Sequence, residues 1–346
     1  MSSSKLFFVV VFFTTFASFT SLSNIHKCPE KQSEALLLFK HSLSSINYAN
    51  PDYCIDYHPI MMSWNTSTDC CNWGGVTCDD STGEMIRLDL ICGMLQGTIH
   101  HNSSLFNLTR LTYLDLSQNQ LNGTLPSWLF TSPSLQYLSL SHNMFTGNLP
   151  FSIGQYTNLT HLGLSSNNFS GKLELDTLLS SLTNLEVLDL SYNSFSLTTK
   201  NDNHYVNPAF KILGLASCKL KVFPISFRAM KHLWVLDLSG NEIHGQIPHW
   251  AGEIGGTYGL RYLSLSDNFI TGLPQFQWYG LQELYMQSNH IEGPFPTSIC
   301  NMSNLWFLDM SNNRFDGLIP QCFGEITSHL QMVDMGNNSF QGTIPS

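Results

Sequence analysis

The sequence predicts an α/β repeat solenoid, a superhelix in which short parallel strands stack coil upon coil and a disulfide-bonded helical cap covers the N-terminal end. Three observations predict this fold class. A motif of alternating leucines recurs every 21 to 27 residues, a cysteine-rich segment without repeats precedes it, and hydrophobic residues make up 42% of the 346-residue chain. A single repeat cannot bury its own apolar face, so such copies are stable only as a stack.

The repeat is most regular over residues 114–126, which read Leu-Asp-Leu-Ser-Gln-Asn-Gln-Leu-Asn-Gly-Thr-Leu-Pro. In Leu-x-Leu the leucines alternate with a polar residue, which predicts a short strand with one buried and one wet face. The spacing is that of leucine-rich repeats. About eleven repeats fill residues 85–346, and their strands are anchored by Leu88, Leu114, Leu138, Leu162, Leu188, Leu213, Leu236, Leu263, Leu284, Leu308 and Val333.

Two further columns of residues accompany the strands. An asparagine follows most strands where the chain bends inward, and its buried amide can satisfy backbone groups of its own and the neighbouring coil. These asparagines are Asn119, Asn143, Asn167, Asn193, Asn241, Asn268, Asn289, Asn313 and Asn338. A glycine that permits a tight turn follows, at Gly97, Gly123, Gly147, Gly171, Gly245, Gly272, Gly293, Gly317 and Gly342.

Two repeats depart from the pattern. The fifth lacks the Gly-x-Leu-Pro ending and continues into a polar stretch from Thr198 to Asn207, which we predict to be a bulging loop. The sixth has Cys218 in the asparagine column. Nothing basic lies beside this cysteine in sequence, so we predict a buried free thiol rather than a reactive one.

Residues 1–23 have the features of a secretory signal peptide. Lys5 precedes the apolar run 6–13, and the Ser-Leu-Ser sequence at 21–23 supplies the small residues of a cleavage site. A signal anchor is the alternative, but the apolar run is short for a membrane span. We therefore expect the chain to enter the secretory pathway. It would reside in the apoplast, or on the extracellular face of the plasma membrane if a full-length form carries an anchor.

Charge and motif content exclude several function classes. The formal net charge of −10 argues against binding to nucleic acid or anionic lipid. The sequence has no nucleophile elbow, phosphate loop, zinc-protease motif or kinase signature. The adjacent pair His100-His101 cannot face one site from regular structure, so we predict exposed loop residues. These observations predict no enzyme activity, no metal and no cofactor.

Cysteines and glycosylation sequons agree with secretion. Nine cysteines are present, and six of them lie near the mature N-terminus, where an oxidising compartment favours disulfides. Eight Asn-x-Ser/Thr sequons predict a glycosylated surface. Their asparagines are Asn65, Asn102, Asn107, Asn122, Asn158, Asn168, Asn301 and Asn337.

Residues 24–84 form the predicted cap. Leu36, Phe39 and Leu43 at helical spacing predict a helix over 33–43. The segment 64–78, Trp-Asn-Thr-Ser-Thr-Asp-Cys-Cys-Asn-Trp-Gly-Gly-Val-Thr-Cys, resembles the N-terminal cap of plant leucine-rich-repeat receptors. The repeat form, and the segments 90–97, 215–218 and 298–301, resemble plant receptor-like proteins of the tomato Cf resistance type. The predicted fold is thus a plant-type leucine-rich-repeat superhelix.

This resemblance implies a function and a set of disulfides. It implies a cell-surface immune receptor that binds an extracellular protein or peptide and signals through partner receptor kinases. It also implies bonds between Cys28 and Cys70 and between Cys71 and Cys78, and Cys54 and Cys92 are candidates for a third. A fourth bond, between Cys300 and Cys322, is predicted because both cysteines follow the proline that ends consecutive repeats.

Family members continue beyond the point that matches Ser346, through further repeats, a C-terminal cap, a membrane span and a cytoplasmic tail. We therefore expect a truncated receptor, a fragment or a secreted decoy, whose eleventh coil frays because Val333, Met335, Phe340 and Ile344 lack a covering neighbour. A secreted inhibitor of a microbial cell-wall-degrading enzyme, similar to plant polygalacturonase inhibitors, is the alternative function. The longer cap with Cys54 and the missing closing cap disfavour it.

The candidate ligand-binding residues are those on the wet face of the strands, predicted to be concave. Aromatic and semi-polar side chains in such positions suit protein recognition. The aspartates between the two strand leucines are also candidates, although Leu-Asp-Leu-Ser is the common form of this repeat. The full set is Tyr113, Asp115, Tyr137, His161, Asp189, Asp237, Tyr262, Glu283, Tyr285, Phe307 and Asp309.

Overall fold

The structure is a computed structural model that describes residues 27–45, 54, 59–130, 132–149, 158–200, 207–256, 259–275, 278–326 and 330–344. The predicted signal peptide lies outside these residues, as does most of the predicted bulging loop, 201–206. At the end of that loop Asn207 is buried, and its side-chain Nδ2 donates to the carbonyls of Leu182 and Leu185.

One twelve-stranded sheet runs the length of the solenoid. Eleven strands come from the eleven predicted repeats and pair in parallel, with the anchor residues of consecutive repeats opposite each other, as Leu88 is to Leu114. The strands are Met85–Asp89, Tyr113–Asp115, Tyr137–Ser139, His161–Gly163, Val187–Asp189, Ile212–Gly214, Val235–Asp237, Tyr262–Ser264, Glu283–Tyr285, Phe307–Asp309 and Met332–Asp334. The twelfth, Val76–Cys78, comes from the cap and is antiparallel. In a leucine-rich repeat this sheet lines the concave side.

The predicted asparagine column joins each coil to the one before it. In the eighth repeat the Asn268 amide donates to the carbonyl oxygens of Leu265 and Ser266 in its own coil and to that of Leu238 in the preceding coil, at 2.9 to 3.1 Å. Its Oδ1 accepts from the backbone N–H of Ile243 at 3.0 Å. One side chain thereby satisfies four backbone groups that would otherwise be buried without partners.

Shorter sheets flank the twelve-stranded sheet. The first has six strands: Ser44–Ser45, Leu95–Thr98, Gln120–Thr124, Met144–Gly147, Asn168–Glu174 and Ser194–Thr198. After a gap come a pair and a trio: His244–Gln246 and Phe269–Gly272, then Glu292–Pro294, Arg314–Leu318 and Ser339–Gln341. Among the described residues the sixth repeat contributes no strand here. Like the fifth repeat, it lacks the glycine of the column; of the nine column glycines, all except Gly272 take a positive φ.

The N-terminal cap begins with helix α1, Glu30–Ser42. It starts three residues before the predicted helix because the carbonyl of Pro29 accepts from the backbone N–H of Gln32 and Ser33. It ends one residue earlier because Leu43 is extended. The Gln32 side chain accepts from the N–H of Met85 at 2.7 Å, which ties the helix to the first repeat.

Disulfides and tryptophans complete the cap. The structure joins the three cysteine pairs expected here, Cys28–Cys70, Cys71–Cys78 and Cys54–Cys92. Trp64 and Trp73 stack with ring centroids 5.6 Å apart, and both are buried. The cysteines near Asp69 come close enough to suggest a metal cluster. Their sulfurs are bonded in disulfides, however, and hence are not thiolate ligands.

The remaining helical segments lie between strands of the long sheet, except for two 3-10 turns of the cap, Ile60–Ser63 and Cys70–Asn72, which precede its first strand. The α-helices are α2, Leu175–Ser181, and α3, Cys322–Ile326. The 3-10 turns are Ile60–Ser63, Cys70–Asn72, Ser104–Asn107, Ser127–Phe130, Ile225–Ala229, His249–Glu253 and Thr297–Asn301. None of the described helices is long and apolar enough to span a bilayer.

A fourth disulfide, the predicted Cys300–Cys322 bond, links the ninth and tenth repeats. We expect the double substitution Cys300→Ala and Cys322→Ala to lower the free energy of unfolding by about 3 kcal/mol, because the bond restricts the unfolded chain. Urea unfolding of the secreted protein, followed by circular dichroism, measures the loss. The single substitution Cys218→Ala is the control, because it removes a cysteine that forms no disulfide. Equal urea midpoints for the double variant and the wild type would contradict the expectation.

Cys218 is the free cysteine among the described residues, and it is fully buried, as predicted. Burial raises the pKa of its thiol to about 12, with the carboxylates of Asp189 and Asp237 adding to the rise. Its Sγ lies 3.6 Å from the carbonyl oxygen of Leu190 in the preceding coil. In other repeats the column asparagine donates to the equivalent carbonyl.

The last coil is more open than the others. Val333 is 37% exposed and Ile344 is 65% exposed, whereas the anchor leucine of the tenth repeat, Leu308, is fully buried. Met335 and Phe340 are partly buried, and the ring of Phe340 stacks on Phe315 of the preceding coil.

Candidate functional site

The wet face of the twelve-stranded sheet, called here the concave face, is built from three positions in each repeat. Relative to the anchor residue they are −2, −1 and +1. In the eighth repeat, for example, Arg261, Tyr262 and Ser264 surround Leu263. Because the strands pair in register, equivalent positions form rows that run along the solenoid, and side chains from successive coils lie next to one another.

The aspartates at +1 end the strands. In the second repeat Asp115 Oδ1 accepts from the backbone N–H of Ser117 at 2.9 Å, and Asp189, Asp237 and Asp309 bond in the same way at 2.9 to 3.0 Å. Such bonds fix a turn. Asp115 is moreover only 5% exposed, which corrects its assignment to a wet, ligand-contacting position. Asp189, Asp237 and Asp309 are half-buried, and burial raises the pKa of Asp237.

The first aromatic cluster comprises Arg87, Tyr113, Tyr137 and His161, from repeats 1 to 4. The Arg87 guanidinium lies 3.4 Å above the Tyr113 ring, Tyr113 stacks on Tyr137 at 4.1 Å between centroids, and His161 follows at 5.4 Å. Both tyrosine hydroxyls lie 3.3 Å from Asp115 Oδ2 and donate to it. Burial raises the pKa of both tyrosines. The predicted residues Tyr113, Tyr137 and His161 thus form one continuous stack.

The second aromatic cluster lies in repeats 7 to 10 and comprises Trp234, Arg261, Tyr262, Glu283, Tyr285, Trp306 and Phe307. Tyr285 lies between two rings, 5.3 Å from the centroid of Tyr262 and 4.4 Å from that of Phe307. Its hydroxyl donates to Glu283 Oε2 at 2.9 Å. Burial, followed by this bond, raises the pKa of Tyr285 to about 12.

The sequence patterns did not indicate four residues of these clusters: Arg87, Trp234, Arg261 and Trp306. Arg87 lies at −1, whereas Trp234, Arg261 and Trp306 lie at −2, which strict alternation from the leucine places on the buried face. In repeats 7 and 10, however, the strands begin only at −1, so Trp234 and Trp306 turn outward and are 40% and 36% exposed. A tryptophan at −2 was the available signal, because its ring is too large for the interior row of leucines.

The two clusters are separate. Repeats 5 to 7 carry the aliphatic residues Val187, Ile212 and Val235 at −1. Gly214 at +1 lies between Asp189 and Asp237. The predicted residues therefore fall into two groups of rings with a flatter, aliphatic stretch between them.

The eight sequons avoid the concave face. Asn65 lies in the cap, and Asn102, Asn107, Asn158 and Asn301 lie in or beside the connections between strands. Asn122 and Asn168 lie on strands of the flanking sheet, and Asn337 lies in the turn between the strands Met332–Asp334 and Ser339–Gln341. All are exposed except Asn122, which is half-buried and accepts from Thr98 Oγ1 at 2.6 Å. His100 and His101 are exposed, as predicted.

Family models match along the chain. The leucine rich repeat N-terminal domain matches residues 29–79. Leucine rich repeat models match residues 100–145 and 258–315, and residues 184–203 and 232–253. The first match falls within the predicted cap, and the others fall within the predicted repeats.

Plant receptor-like proteins are among the relatives. The chain is 35% identical over 321 residues to receptor-like protein Cf-9 of Solanum pimpinellifolium, an alignment that covers 88% of this chain and 34% of that protein. It is 42% identical over 128 residues to receptor-like protein 35 of Arabidopsis thaliana, covering 35% of this chain and 14% of that one. The chain therefore spans about a third of the length of Cf-9.

Solved structures of plant leucine-rich-repeat proteins resemble the chain as well. The ectodomain of the Arabidopsis receptor kinase HAESA, in complex with the peptide hormone IDA and the co-receptor SERK1, is 26% identical with a TM-score of 0.68, covering 92% of this chain and 59% of that one. A plant ice-binding protein, 22% identical with a TM-score of 0.58, covers 93% of this chain and 98% of its own and shares the fold. Leucine-rich-repeat receptor ectodomains such as that of HAESA bind ligands and are not enzymes. The chain belongs to the leucine-rich-repeat family and carries the cap and repeats of a plant receptor-like protein of the Cf type.

Proposed function

We propose that this chain is the ligand-binding part of a plant cell-surface receptor, which binds an extracellular protein or peptide on its concave face and signals in defence through partner receptor kinases. The observation that carries the proposal is the contrast between faces. All eight sequons lie off the concave strands, whereas the stacked rings of both clusters lie on them. A surface without sequons and rich in tyrosine and tryptophan suits protein recognition.

The comparisons support the kind of partner. HAESA binds a peptide hormone together with the co-receptor SERK1, and PEPR1 was solved with AtPEP1. We extend this arrangement to the present chain, with an extracellular polypeptide as ligand and a leucine-rich-repeat receptor kinase as co-receptor. The role in defence rests on the resemblance to the tomato Cf resistance type. The ectodomain would act outside the cell, held at the plasma membrane when a full-length form provides the anchor.

Two single substitutions would place a glycan on the concave face. Tyr137→Asn creates an Asn-Leu-Ser sequon with Leu138 and Ser139, and Tyr262→Asn creates one with Leu263 and Ser264. We expect the wild-type protein to capture at least one polypeptide from the apoplast. One of the two glycosylated variants should bind that polypeptide about tenfold more weakly, which corresponds to a loss of about 1.4 kcal/mol of binding free energy. Quantitative mass spectrometry of material bound to the protein secreted in leaves makes the measurement.

Matched controls separate the glycan from the lost ring. Tyr137→Gln and Tyr262→Gln remove the same rings without creating a sequon, and Asn102→Gln removes a glycan remote from the concave face. Intact mass confirms glycosylation, and circular dichroism confirms folding. Identical retention by the wild type and by both glycosylated variants would show that the concave face is not the binding surface. For the co-receptor, the SERK1 ectodomain is the probe, and co-elution with the ligand-loaded protein is the expected result.

A further inference from the structure

We infer that the ligand binds at the second aromatic cluster rather than the first, and that it is an extended peptide segment carrying a carboxylate close to an aromatic or large apolar side chain. This inference rests on the proposed function and specifies the place and the chemistry of binding. It follows from a comparison of the two clusters, whose composition is similar but whose polar groups differ in what they contact.

The first cluster is satisfied internally. The Arg87 guanidinium forms an ion pair with Asp89 at 2.7 Å and covers one face of Tyr113, while Tyr137 covers the other. The tyrosine hydroxyls donate to the buried Asp115. An approaching ligand therefore meets ring edges and an already paired cation. Binding there would have to break these contacts, so the stack is better suited to hold repeats 1 to 4 together.

The second cluster contains a guanidinium that forms no ion pair with the described residues. Arg261 is exposed, and its guanidinium contacts the Trp234 ring at 5.2 Å. No carboxylate of the described residues lies within ion-pair distance of it. The Glu283 carboxylate in the next repeat accepts from the Tyr285 hydroxyl instead. A guanidinium stacked on an indole keeps its N–H donors in the plane of the group and presents them to a carboxylate.

The two exposed tryptophans give this cluster its length. Trp234 and Trp306 both occupy −2, in repeats 7 and 10, so three strand spacings of about 4.8 Å place them about 14 Å apart. An extended peptide rises about 3.3 Å per residue, so four to five residues cross this distance. Arg261 lies one coil from Trp234, and the edge-to-face pair of Trp306 and Phe307 lies at the far end. A carboxylate near Arg261 and an apolar side chain against Trp306 would then be held together.

Charge sets the orientation across the strands. The acidic groups on this part of the concave face are Asp237 and Asp309 at +1, and Glu283 at −1. Arg261 is on the opposite side of the strand, at −2. An anionic ligand group is therefore favoured along the −2 row and disfavoured along the +1 row, where like charges repel.

Synthetic decapeptides in a Gly-Ser background test the inference. Four classes contain Trp and Glu, Trp and Lys, Trp alone, or Glu alone, with one to four residues between the paired side chains. Each class is made with a free and with an amidated C-terminus, which distinguishes a side-chain carboxylate from the chain end. We expect the wild-type protein to bind the Trp–Glu class at least tenfold more tightly than the Trp–Lys class in fluorescence anisotropy titrations.

Variants locate the site. Arg261→Gln is expected to remove the preference for Glu over Lys, and Trp306→Ala to weaken binding of both Trp-containing classes. Arg87→Gln, which removes a cation from the first cluster, should change neither. The inference is overturned if Trp–Lys peptides bind as tightly as Trp–Glu peptides, if the preference survives Arg261→Gln, if Arg87→Gln has the same effect, or if no class binds. A glycan at Tyr137 that blocks binding of the apoplastic polypeptide while one at Tyr262 does not would overturn it too, and would leave the proposed function standing.

Discussion

Replacement of Asn241 by alanine is expected to lower the free energy of unfolding by on the order of 5 kcal/mol, because five backbone groups lose their partner and each buried orphan costs about 1–3 kcal/mol. The side chain is 5% exposed. Its Oδ1 accepts from the N–H groups of Cys218 and Leu220, and its Nδ2 donates to the carbonyls of Leu215, Leu238 and Ser239, at 2.9 to 3.2 Å. It accepts two bonds, where Asn268 accepts one, and the additional donor is the backbone N–H of Cys218, the residue that occupies the column in the preceding coil.

Urea unfolding of the secreted protein measures this loss, and hydrogen exchange locates it. We expect the loss of protection to centre on the sixth and seventh repeats, since neighbouring coils share the bonds that disappear. Asn72→Ala is the matched control: Asn72 is an exposed asparagine of the cap, and its replacement should change stability by less than about 0.5 kcal/mol. Unchanged exchange in repeats 6 and 7 of Asn241→Ala would mean that the column does not hold the coils together.

Replacement of Gly75 by alanine is expected to detach the cap from the first repeat. Gly75 has a φ of 78°, and an added Cβ would lie 2.2 Å from the carbonyl oxygen of Asp89, far inside van der Waals contact. The Gly75 carbonyl also accepts from the N–H of Asp89 at 2.7 Å. A movement that relieved the clash would therefore break this hydrogen bond between the cap and the first repeat. We expect a loss on the order of 4 kcal/mol from clash and backbone strain together.

Gly245→Ala is the comparison that isolates the clash. Gly245 has nearly the same φ, 80°, but an added Cβ meets nothing within 4 Å. Its replacement should cost only the strain of a left-handed alanine, about 1–2 kcal/mol. Thermal unfolding of both variants, with the exchange rates of Val76 and Leu88 as a local readout, gives the difference. Equal losses for the two glycines would refute a close contact between the cap and the first coil.

The fold could be predicted to a large extent because it repeats. The position of each strand contributed by a repeat follows from its anchor residue, since an error in one copy is corrected by its neighbours, whereas the cap strand Val76–Cys78 has no such anchor. Local features that do not repeat along the chain were harder to predict from the sequence. The start of helix α1 at Glu30 depends on hydrogen bonds to Pro29, and the flanking sheet is interrupted at the sixth repeat.

The candidate site was predicted only in part. Alternation identified Tyr113, Tyr137 and Tyr285 as wet residues, but the side on which a residue lies does not determine its contacts. Asp115 is buried by the rings on either side of it, and this depends on which residues occupy the same row in adjacent coils. Trp234 and Trp306 were missed because the strands are only three residues long, so the alternation rule does not extend to −2.

Backbone hydrogen bonds and the asparagine column join successive coils, and in the part of the chain that the structure describes the side chains of Arg261, Tyr262 and Trp306 form no hydrogen bond to a neighbouring coil. The chemistry of these three side chains is therefore nearly independent of the framework underneath. Descendants of one ancestral gene could exchange these residues one at a time and acquire new specificities without passing through an unfolded intermediate. The same independence would allow an engineer to graft a foreign paratope onto this scaffold by rewriting a few rows, with the interior left untouched.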